Sequence, residues 1–228
     1  AKMKESFKGD AKVRIEVLPC FYPQGEEKVI IYNTTGLVVP EGGLPFDVGC
    51  VVINVTSVAF IGYYFETGIP LVEKRITVDG SAVKNPKNVI APVGTPIIDV
   101  LNAAGGLTDD VAKVLYGGPM MGVAVYSVND PVLKNTNAIV ALSKADTAPV
   151  KQYPCIHCGK CISVCPMGLN PTAFVKAMKV EDKNERVKRF GEEHISICME
   201  CGCCSYVCPS HRPLVETNRL AKAEWRAA

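Results

Sequence analysis

The sequence lacks a strong net charge and is poor in aromatic side chains. Its 228 residues include 25 lysines and arginines against 23 aspartates and glutamates, which gives a formal net charge of +2, and only 7% of them are aromatic. Surfaces that bind nucleic acid usually combine a basic patch with aromatic side chains on which bases stack. The composition therefore indicates neither a nucleic acid nor an anionic membrane surface as a partner.

Cysteine is nearly absent from the first two thirds of the chain. Of the 11 cysteines, only Cys20 and Cys50 precede Cys155, and all the others lie between Cys155 and Cys208. Small secreted proteins that depend on disulfides are usually short and spread their cysteines along the chain. A cysteine-poor body followed by a cysteine-dense segment instead favours metal ligation in a reducing compartment.

Charge is absent from residue 48 to residue 65, and this stretch of 18 residues is close to the lower limit of length for crossing a bilayer. Glycines and polar residues interrupt it, and no lysine or arginine flanks it. We therefore expect a buried strand over residues 48–53 that runs into a helix over residues 54–66, rather than a membrane span. Nearer the start of the chain, residues 12–17 alternate between apolar and polar, as a half-buried strand does.

A compact module is predicted over residues 69–106. Residues 71–78 and 88–92 have the apolar content of strands, and an Asp-Gly pair between them is a strong turn signal. A helix is expected to follow from Pro96, which suits the first helical position, to a Gly-Gly pair. Strand, turn, strand and helix in this order are typical of a β-grasp-like module.

Residues 107–150 are expected to form connecting strands and a linker. Short strands are predicted over residues 114–116 and 138–142, around the loop Gly-Gly-Pro-Met-Met-Gly at residues 117–122. This loop has no lysine, serine or threonine at P-loop spacing, so its glycines alone give little support to nucleotide binding. We expect the loop to be a structural turn.

The cysteine-dense segment repeats one pattern twice. Each half has the spacing Cys-x-x-Cys-x-x-Cys-x-x-x-Cys-Pro, which is that of bacterial ferredoxins with [4Fe–4S] clusters. Gaps of two residues let a tight loop wrap a cube, and Gly159 and Gly202 follow the second cysteine of each run, where a side chain would crowd that loop. The first run consists of Cys155, Cys158, Cys161 and Cys165, and the second of Cys198, Cys201, Cys204 and Cys208.

In two-cluster ferredoxins of this spacing, the fourth cysteine of each run ligates the other cluster. Such a crossing ties the two halves together and keeps the clusters close, as fast electron hopping requires. The predicted ligands of the first cluster are Cys155, Cys158, Cys161 and Cys208, and those of the second are Cys198, Cys201, Cys204 and Cys165.

Other interpretations of the same residues stay open. Cys203 falls outside the spacing of the second run, so we expect a packed free thiol there. Two zinc sites could use these cysteines, although structural zinc favours two Cys-x-x-Cys pairs set well apart. The histidines, His157, His194 and His211, are expected on the surface, and His157, between two ligands, could tune the potential of a cluster.

Residues 151–228 are expected to be mainly α-helical, with helices over residues 171–179 and 213–225. A basic run begins in the first of these helices and continues beyond its end. Such a run is usually a solvated face, and the alternative is a docking surface for an acidic redox partner. Its members are Lys176, Lys179, Lys183, Arg186, Lys188 and Arg189.

Several signatures together resemble the RnfC family, a component of the Rnf ion-translocating electron-transport complex. Both cysteine runs match that family, as do Tyr-Pro-Gln-Gly-Glu-Glu-Lys at residues 22–28, Gly-Gly-Leu-Pro at residues 42–45 and the loop at residues 117–122. The signatures follow the family's order over nearly the whole chain, and we expect the family's N-terminal part to be missing from it. The resemblance implies an α+β multidomain protein with part of a complex I flavoprotein-like α/β domain over residues 1–68, a β-grasp-like insert and a two-cluster ferredoxin-type domain over residues 151–228.

The flavin domain of this family is related to the NADH-binding flavoprotein subunit of respiratory complex I. By that resemblance, Tyr22, Gly25, Glu26 and Glu27 belong to a loop near flavin and nicotinamide, and Asn54 to a second stretch near the flavin. The family's glycine-rich loop for the flavin phosphate should precede the first residue, so this chain alone is expected to hold FMN or NADH poorly or not at all. Without the family, Glu26 and Glu27 would be interpreted as the solvated charges of a turn.

The resemblance implies electron transfer through two [4Fe–4S] clusters in a membrane-associated ferredoxin:NAD oxidoreductase, a translocase that moves Na⁺ or H⁺. FMN and NADH are the further cofactors expected of the complete protein. The expected partners are the other Rnf subunits and the ferredoxin/NADH system, with peripheral attachment to the cytoplasmic face of the bacterial inner membrane through those subunits. A flavin/iron–sulfur cobalamin reductase of a bacterial microcompartment is the alternative, and a zinc-stapled interaction module without redox role is a third interpretation.

Overall fold

A computed structural model of the chain describes residues 12–228, so the start of the expected first domain lies outside the described residues. The chain divides after Val52 into two compact units, each of which is described by itself. The first unit contains helix α1, Glu27–Thr35, and a 3-10 turn, Pro45–Val48. The Glu26 carboxylate caps α1 by accepting hydrogen bonds from the first backbone N–H groups of the helix.

Two predicted strands, over residues 12–17 and 48–53, are wrong. Residues 13–20 and 50–54 have no regular secondary structure. The guanidinium of Arg14 donates to the carbonyl oxygen of Thr34 at 2.7 Å, and Val51 is 77% exposed. Alternation and apolar content describe a strand's side chains, but a strand also needs a neighbour that pairs with its backbone, and no such neighbour is present in the described part of the chain.

The second unit opens with helix α2, Val55–Thr67, which confirms the helix predicted over residues 54–66. The side-chain oxygen of Asn54 accepts hydrogen bonds from the backbone N–H of Thr56 at 2.9 Å and from its hydroxyl at 2.7 Å, so Asn54 is the N-cap. Gly68, with φ +70°, ends the helix. None of the helices within residues 12–228 combines the length and the apolar character that a bilayer crossing demands.

A five-stranded mixed sheet follows, with the strand order β2-β1-β5-β3-β4. Strands β1 and β5 are parallel, and the other neighbouring pairs are antiparallel. The strands from residues 107–150 therefore belong to the same sheet as β1 and β2, and the boundary predicted between residues 106 and 107 falls inside that sheet. The strands are β1 Glu73–Asp79, β2 Lys87–Pro92, β3 Val111–Tyr116, β4 Val123–Ala124 and β5 Ala138–Ser143.

Helix α3, Ile97–Ala103, packs its buried face against this sheet. Ile97 and Leu101 of the helix are fully buried together with Val78 of β1 and Ile139 of β5. Each such side chain contributes about 1.5–3 kcal/mol relative to exposure. The parallel β1–β5 pair, buried under α3, is thus the centre of the sheet's core.

Helices joined by loops make up residues 151–228, which contain no strand. The C-terminal helix α8 packs on α5, α6 and α7, around the fully buried rings of Phe174 and Phe190. An ion pair between Arg186 and Glu224, at 2.9 Å from Nε to Oε1, also joins α6 to α8. The helices are α4 Lys160–Ser163, α5 Pro171–Ala177, α6 Lys183–Glu192, α7 Cys203–Tyr206 and α8 Leu214–Arg226, with a 3-10 turn at Ile195–Ile197.

Gly80 provides a test of the sheet's centre. Its φ is +116°, and a Cβ at this position would lie 2.1 Å from the carbonyl oxygen of Ala141 in β5. We expect Gly80→Ala to destabilise the sheet by more than the roughly 1–3 kcal/mol of backbone strain alone, because β5 cannot move aside. Hydrogen exchange of the β1 and β5 amides measures the loss.

The matched control is Gly94→Ala. Gly94 has φ +97°, but a Cβ there would meet nothing within 4 Å, so this variant carries the strain without the clash. Equal loss of protection in the two variants would contradict the close approach of Gly80 to β5.

Candidate metal centres

Two pockets in the helical part of the chain are lined by thiols. Site one denotes the pocket lined by Cys155, Cys158, Cys161 and Cys208, and site two the pocket lined by Cys165, Cys198, Cys201 and Cys204. Each pocket therefore has three cysteines from one run and the fourth cysteine of the other run. This is the grouping that the ligand assignment from the sequence requires, and ligation itself stays a prediction.

The two cysteine loops share one backbone conformation. The residue before the second cysteine has a left-handed φ in both, +56° at His157 and +58° at Glu200. The glycine after the second cysteine is also left-handed, with φ +74° at Gly159 and +84° at Gly202. Two left-handed residues around one cysteine turn the chain sharply about the pocket, and the non-glycine member is a strained position of the kind that clusters at functional sites.

The repeat continues after the fourth cysteine of each run. Gly168 and His211 occupy equivalent positions, both with positive φ, and donate their backbone N–H to the carbonyl oxygens of Cys165 and Cys208 at 3.1 and 3.0 Å. The N–H of Leu169 donates to the sulfur of Cys165 at 3.4 Å. The internal repeat seen in the sequence is therefore a repeat of backbone geometry.

Site two is more deeply buried than site one. Cys198, Cys201 and Cys204 are each 8% exposed, whereas Cys158 of site one is exposed and Cys155 is half-buried. Water therefore reaches the thiols of site one more readily than those of site two.

Burial also controls the ionisation of these thiols. It raises the pKa of Cys204 to about 12, with a further increase from the neighbouring thiols of Cys198 and Cys201. Burial raises the pKa of Cys198 and of Cys161 as well. Buried thiols of this kind become thiolates when a metal supplies positive charge, and four soft sulfur donors per site suit iron–sulfur chemistry.

The arrangement of the thiols differs from that around a single ion. No disulfide joins any of the eleven cysteines, all of which lie within the described residues. Within residues 12–228, no group of three His, Cys, Asp or Glu side chains converges closely enough to hold one metal ion. Ligands of tetrahedral zinc all lie about 2.0–2.3 Å from one point, whereas the thiolates of a cube bind separate irons. Four regularly spaced thiols at each pocket are the number of ligands that one [4Fe–4S] cube takes.

Helix α8 brings to site two a pair of polar side chains that the cysteine spacing did not predict. Asn218 is 2% exposed, and its Nδ2 donates to the sulfur of Cys198 at 3.7 Å. Lys222 is 8% exposed, and its Nζ donates to the carbonyl oxygen of Cys198 at 2.5 Å. They lie one turn apart on the helix face that also buries Leu214. The only sign of them in the sequence was that two polar residues fall on the apolar face of a predicted amphipathic helix.

The loop at residues 117–122 is the expected turn, closed by a hydrogen bond from the Gly122 N–H to the Gly118 carbonyl oxygen at 2.7 Å. It also contacts the second cysteine loop, because a Cβ on Gly202 would lie 3.1 Å from the carbonyl oxygen of Met120. No feature of the sequence indicated this contact, since it joins residues far apart in the chain.

The remaining candidates from the sequence have ordinary surroundings. Cys203 is 5% exposed and lines the site-two pocket, and burial raises its pKa to about 12. The histidines His157, His194 and His211 are exposed, as expected. Half of the basic run is paired with carboxylates, in the pairs Arg186–Glu224, Arg189–Glu185 and Lys188–Glu192.

The residues predicted near flavin serve local structure. Glu26 caps α1, Glu27 lies in its first turn, and Asn54 caps α2. Tyr22 is 47% exposed, and a Cβ on Gly25 would meet no protein atom within 4 Å. These caps account locally for Glu26 and Asn54, and contact of all five residues with FMN stays a prediction.

Three family models match the chain in succession. The Nuo51 FMN-binding domain matches residues 1–63, the SLBB domain matches residues 75–124, and the 4Fe-4S dicluster domain matches residues 151–212. The last match includes all eight cysteines of the two runs. The mixed α+β architecture and the two [4Fe–4S] clusters expected from the sequence agree with this order.

Three similar proteins are all named as C subunits of ion-translocating oxidoreductase complexes. The C subunit of a proton-translocating ferredoxin:NAD(+) oxidoreductase complex from Clostridium ljungdahlii is 41% identical over 226 residues, which is 99% of this chain and 49% of the relative. The C subunit of a Na(+)-translocating ferredoxin:NAD(+) oxidoreductase complex from Acetobacterium woodii is 41% identical over 71% of this chain and 37% of the relative. The C subunit of an ion-translocating oxidoreductase complex from Rhodobacter capsulatus is 38% identical over 69% and 30%, respectively.

This chain therefore spans less than half the length of these relatives. Its similarity to the Clostridium protein nevertheless extends over almost every residue, and the cysteine runs lie inside the matched region. The order of matched domains agrees with the signatures first noted in the sequence. The chain belongs to the RnfC family of the Rnf ion-translocating oxidoreductase complexes.

Proposed function

We propose that this chain is the electron-transferring part of a subunit of a membrane-associated ferredoxin:NAD oxidoreductase coupled to the transport of Na⁺ or H⁺. One observation carries the proposal: eight regularly spaced cysteines line two pockets, and each pocket takes its fourth thiol from the opposite run. The match of this segment to a dicluster domain and the names of the similar proteins support it.

The proposed ligand sets follow the two pockets. Each bound cluster supplies one-electron redox chemistry, which is what a relay between two-electron and one-electron carriers needs. The chain contributes the thiolates, the tight backbone loops around them and, at site two, the exclusion of water. Site one would hold its cluster through Cys155, Cys158, Cys161 and Cys208, and site two through Cys165, Cys198, Cys201 and Cys204.

The crossing of the runs supports a short path between the sites. Cys161 of site one lies in α4, and Cys165 of site two lies two residues beyond the end of this helix, so only four positions of chain separate the two thiols. Cys204 and Cys208 are related in the same way through α7, in the opposite sense. Two short helices thus hold the sites close together from both sides.

The wider assignment concerns the complete protein. The proposed partners are the other subunits of the complex and the ferredoxin/NADH system, with peripheral attachment at the cytoplasmic face of the inner membrane through those subunits. FMN and NADH would be bound by the complete flavin domain, to which Tyr22, Gly25, Glu26, Glu27 and Asn54 belong by resemblance. The sheet under α3 would be the β-grasp-like insert.

Metal analysis tests the relay directly. Anaerobically purified protein is expected to contain about eight irons and eight acid-labile sulfides per chain, with a broad visible absorbance that bleaches on reduction. Zinc without labile sulfide would contradict the proposal and favour the zinc-stapled module. Copurification with corrinoid instead of membranes would favour the cobalamin reductase.

The crossing is tested by comparing ligand variants. Cys208→Ser should perturb the same electron paramagnetic resonance signal as Cys155→Ser, because both thiols line site one, while Cys165→Ser should perturb the same signal as Cys201→Ser. The opposite grouping, with Cys208→Ser matching Cys201→Ser, would show that each run serves its own cluster and would overturn the assignment.

Cys203 supplies the matched control for Cys204. These adjacent thiols are both buried, but only Cys204 keeps the ferredoxin spacing. Cys203→Ala should keep the full iron and sulfide content, and Cys204→Ala should lose about half of it as the second cluster fails to assemble. Loss of a cluster in Cys203→Ala would show that Cys203 is a ligand and would contradict the assignment of ligation to Cys204 alone.

A further inference from the structure

We propose that Asn218 and Lys222, on the buried face of α8, form a positioning pair that raises the reduction potential of the cluster at site two and leaves site one unaffected. This inference rests on the proposed function, because it requires a cluster at site two. It goes beyond that function because it identifies what sets the potential of one cluster independently of the other.

Asn218 carries the first part. It lines the site-two pocket, is 2% exposed and donates from Nδ2 to the sulfur of the ligand candidate Cys198 at 3.7 Å. Its Oδ1 is buried without a hydrogen-bond partner among the described residues. A buried unpaired amide oxygen is destabilising, and a leucine would fill such a helix position without that cost. The amide group is therefore better explained by the N–H that it directs at the sulfur.

Lys222 carries the second part. It lies one turn beyond Asn218 on α8, is 8% exposed and donates to the carbonyl oxygen of the same Cys198 at 2.5 Å. A lysine is rarely buried unless it is paired. Its carboxylate partner is Glu200, at 3.5 Å, in the loop between Cys198 and Cys201.

The charges around this loop leave an excess of positive charge. The Glu200 carboxylate also lies 3.5 Å from Nε of Arg219, which is next to Asn218 on α8. One carboxylate thus faces two cations, and of the two cations Lys222 is the more buried, with its side chain 10% exposed against 36% for Arg219. The field of a buried charge is less screened by water than that of an exposed one.

The sign of the effect follows from the charge change. One-electron reduction adds a negative charge to the site, so a hydrogen bond to a ligand sulfur and a nearby cation both stabilise the reduced form and raise the potential. Burial acts the other way, because it removes the water that would solvate the added charge. Site two, whose three first cysteines are nearly inaccessible, is where such compensation is needed.

Site one has no matching arrangement among the described residues that line its pocket. The cations there are Lys160, which is exposed, and Arg212, which is half-buried. Salt and water screen these more exposed charges more effectively than they screen the buried charge of Lys222. The effect of α8 is therefore expected on one cluster alone.

The test is a potentiometric titration of both clusters, followed by electron paramagnetic resonance, on the intact protein purified with its clusters. Lys222→Met and Asn218→Leu should each lower the equilibrium constant for reducing the site-two cluster by roughly tenfold, which is about 59 mV for one electron. Lys222→Arg, which keeps the charge, should shift it much less. Glu200→Gln, which removes the opposing charge, should shift the same cluster in the opposite direction.

Lys188→Met is the matched control, because it removes a lysine whose side chain is 68% exposed on α6. Opposite shifts for Lys222→Met and Glu200→Gln, confined to one cluster, support the inference. Shifts of the same sign, equal shifts in both clusters, or unchanged potentials would overturn it.

Iron and sulfide content distinguishes a failure of the positioning pair from a failure of the proposed electron relay. Full clusters with unmoved potentials reject the positioning pair and keep the relay, whereas absent clusters in the unaltered protein reject the relay itself. If Lys222→Met fails to retain its clusters, Glu200→Gln decides alone, since its side chain is 30% exposed and its replacement preserves shape. A potential that does not rise in Glu200→Gln then overturns the inference.

Discussion

The sharing of cysteines between the two halves of the C-terminal segment is the constraint on which the rest of the structure depends. Site one is incomplete without Cys208, and site two is incomplete without Cys165. Each pocket is therefore lined by both runs at once. Helices α5 and α6, which separate the runs in sequence, must return the chain so that the halves meet, and α8 closes against both of them through Phe174 and Phe190. Because thiolate–metal bonds contribute directly to folding, assembly of the clusters and of this helical core should be one event.

Burial creates a second requirement. Thiols as inaccessible as Cys198 and Cys204 resist ionisation, as their raised pKa values indicate, so the protein around site two must tolerate charge that water cannot solvate. At Cys198, the hydrogen bonds donated by Asn218 and Lys222 of α8 take the place of water. Site one needs less compensation, because Cys158 is open to solvent. Two sites with nearly the same backbone thus differ in environment, and the difference comes from the helices and loops packed on them rather than from the cysteine spacing.

The parts that could be predicted from sequence are those governed by local geometry. Cysteine spacing, the glycines after the second cysteines, the cap of α2 and the Asp-Gly turn after β1 all depend on a few neighbouring residues. Strands over residues 12–17 and 48–53 could not be judged in this way, because pairing depends on a distant partner. For the same reason, the turn signals that bounded a module at residue 106 could not indicate that β3 and β5 join β1 and β2 in one sheet. Asn218 and Lys222 are visible as polar residues in the sequence, but their meaning depends on which face of α8 is buried.

Gly202 connects the sheet with site two. Both Gly159 and Gly202 adopt left-handed conformations that favour glycine, yet a Cβ on Gly159 would meet nothing within 4 Å, whereas one on Gly202 would press on Met120. Glycine is thus favoured at position 202 for two reasons. Its backbone is left-handed, and a side chain there would press on the turn that leads into β4. This turn joins β3 to β4, so it brings one end of the sheet to the second cysteine loop. The sheet is therefore more than a connection in sequence between the flavin-type segment and the cysteine runs, since the turn between β3 and β4 lies against the loop that carries Cys201.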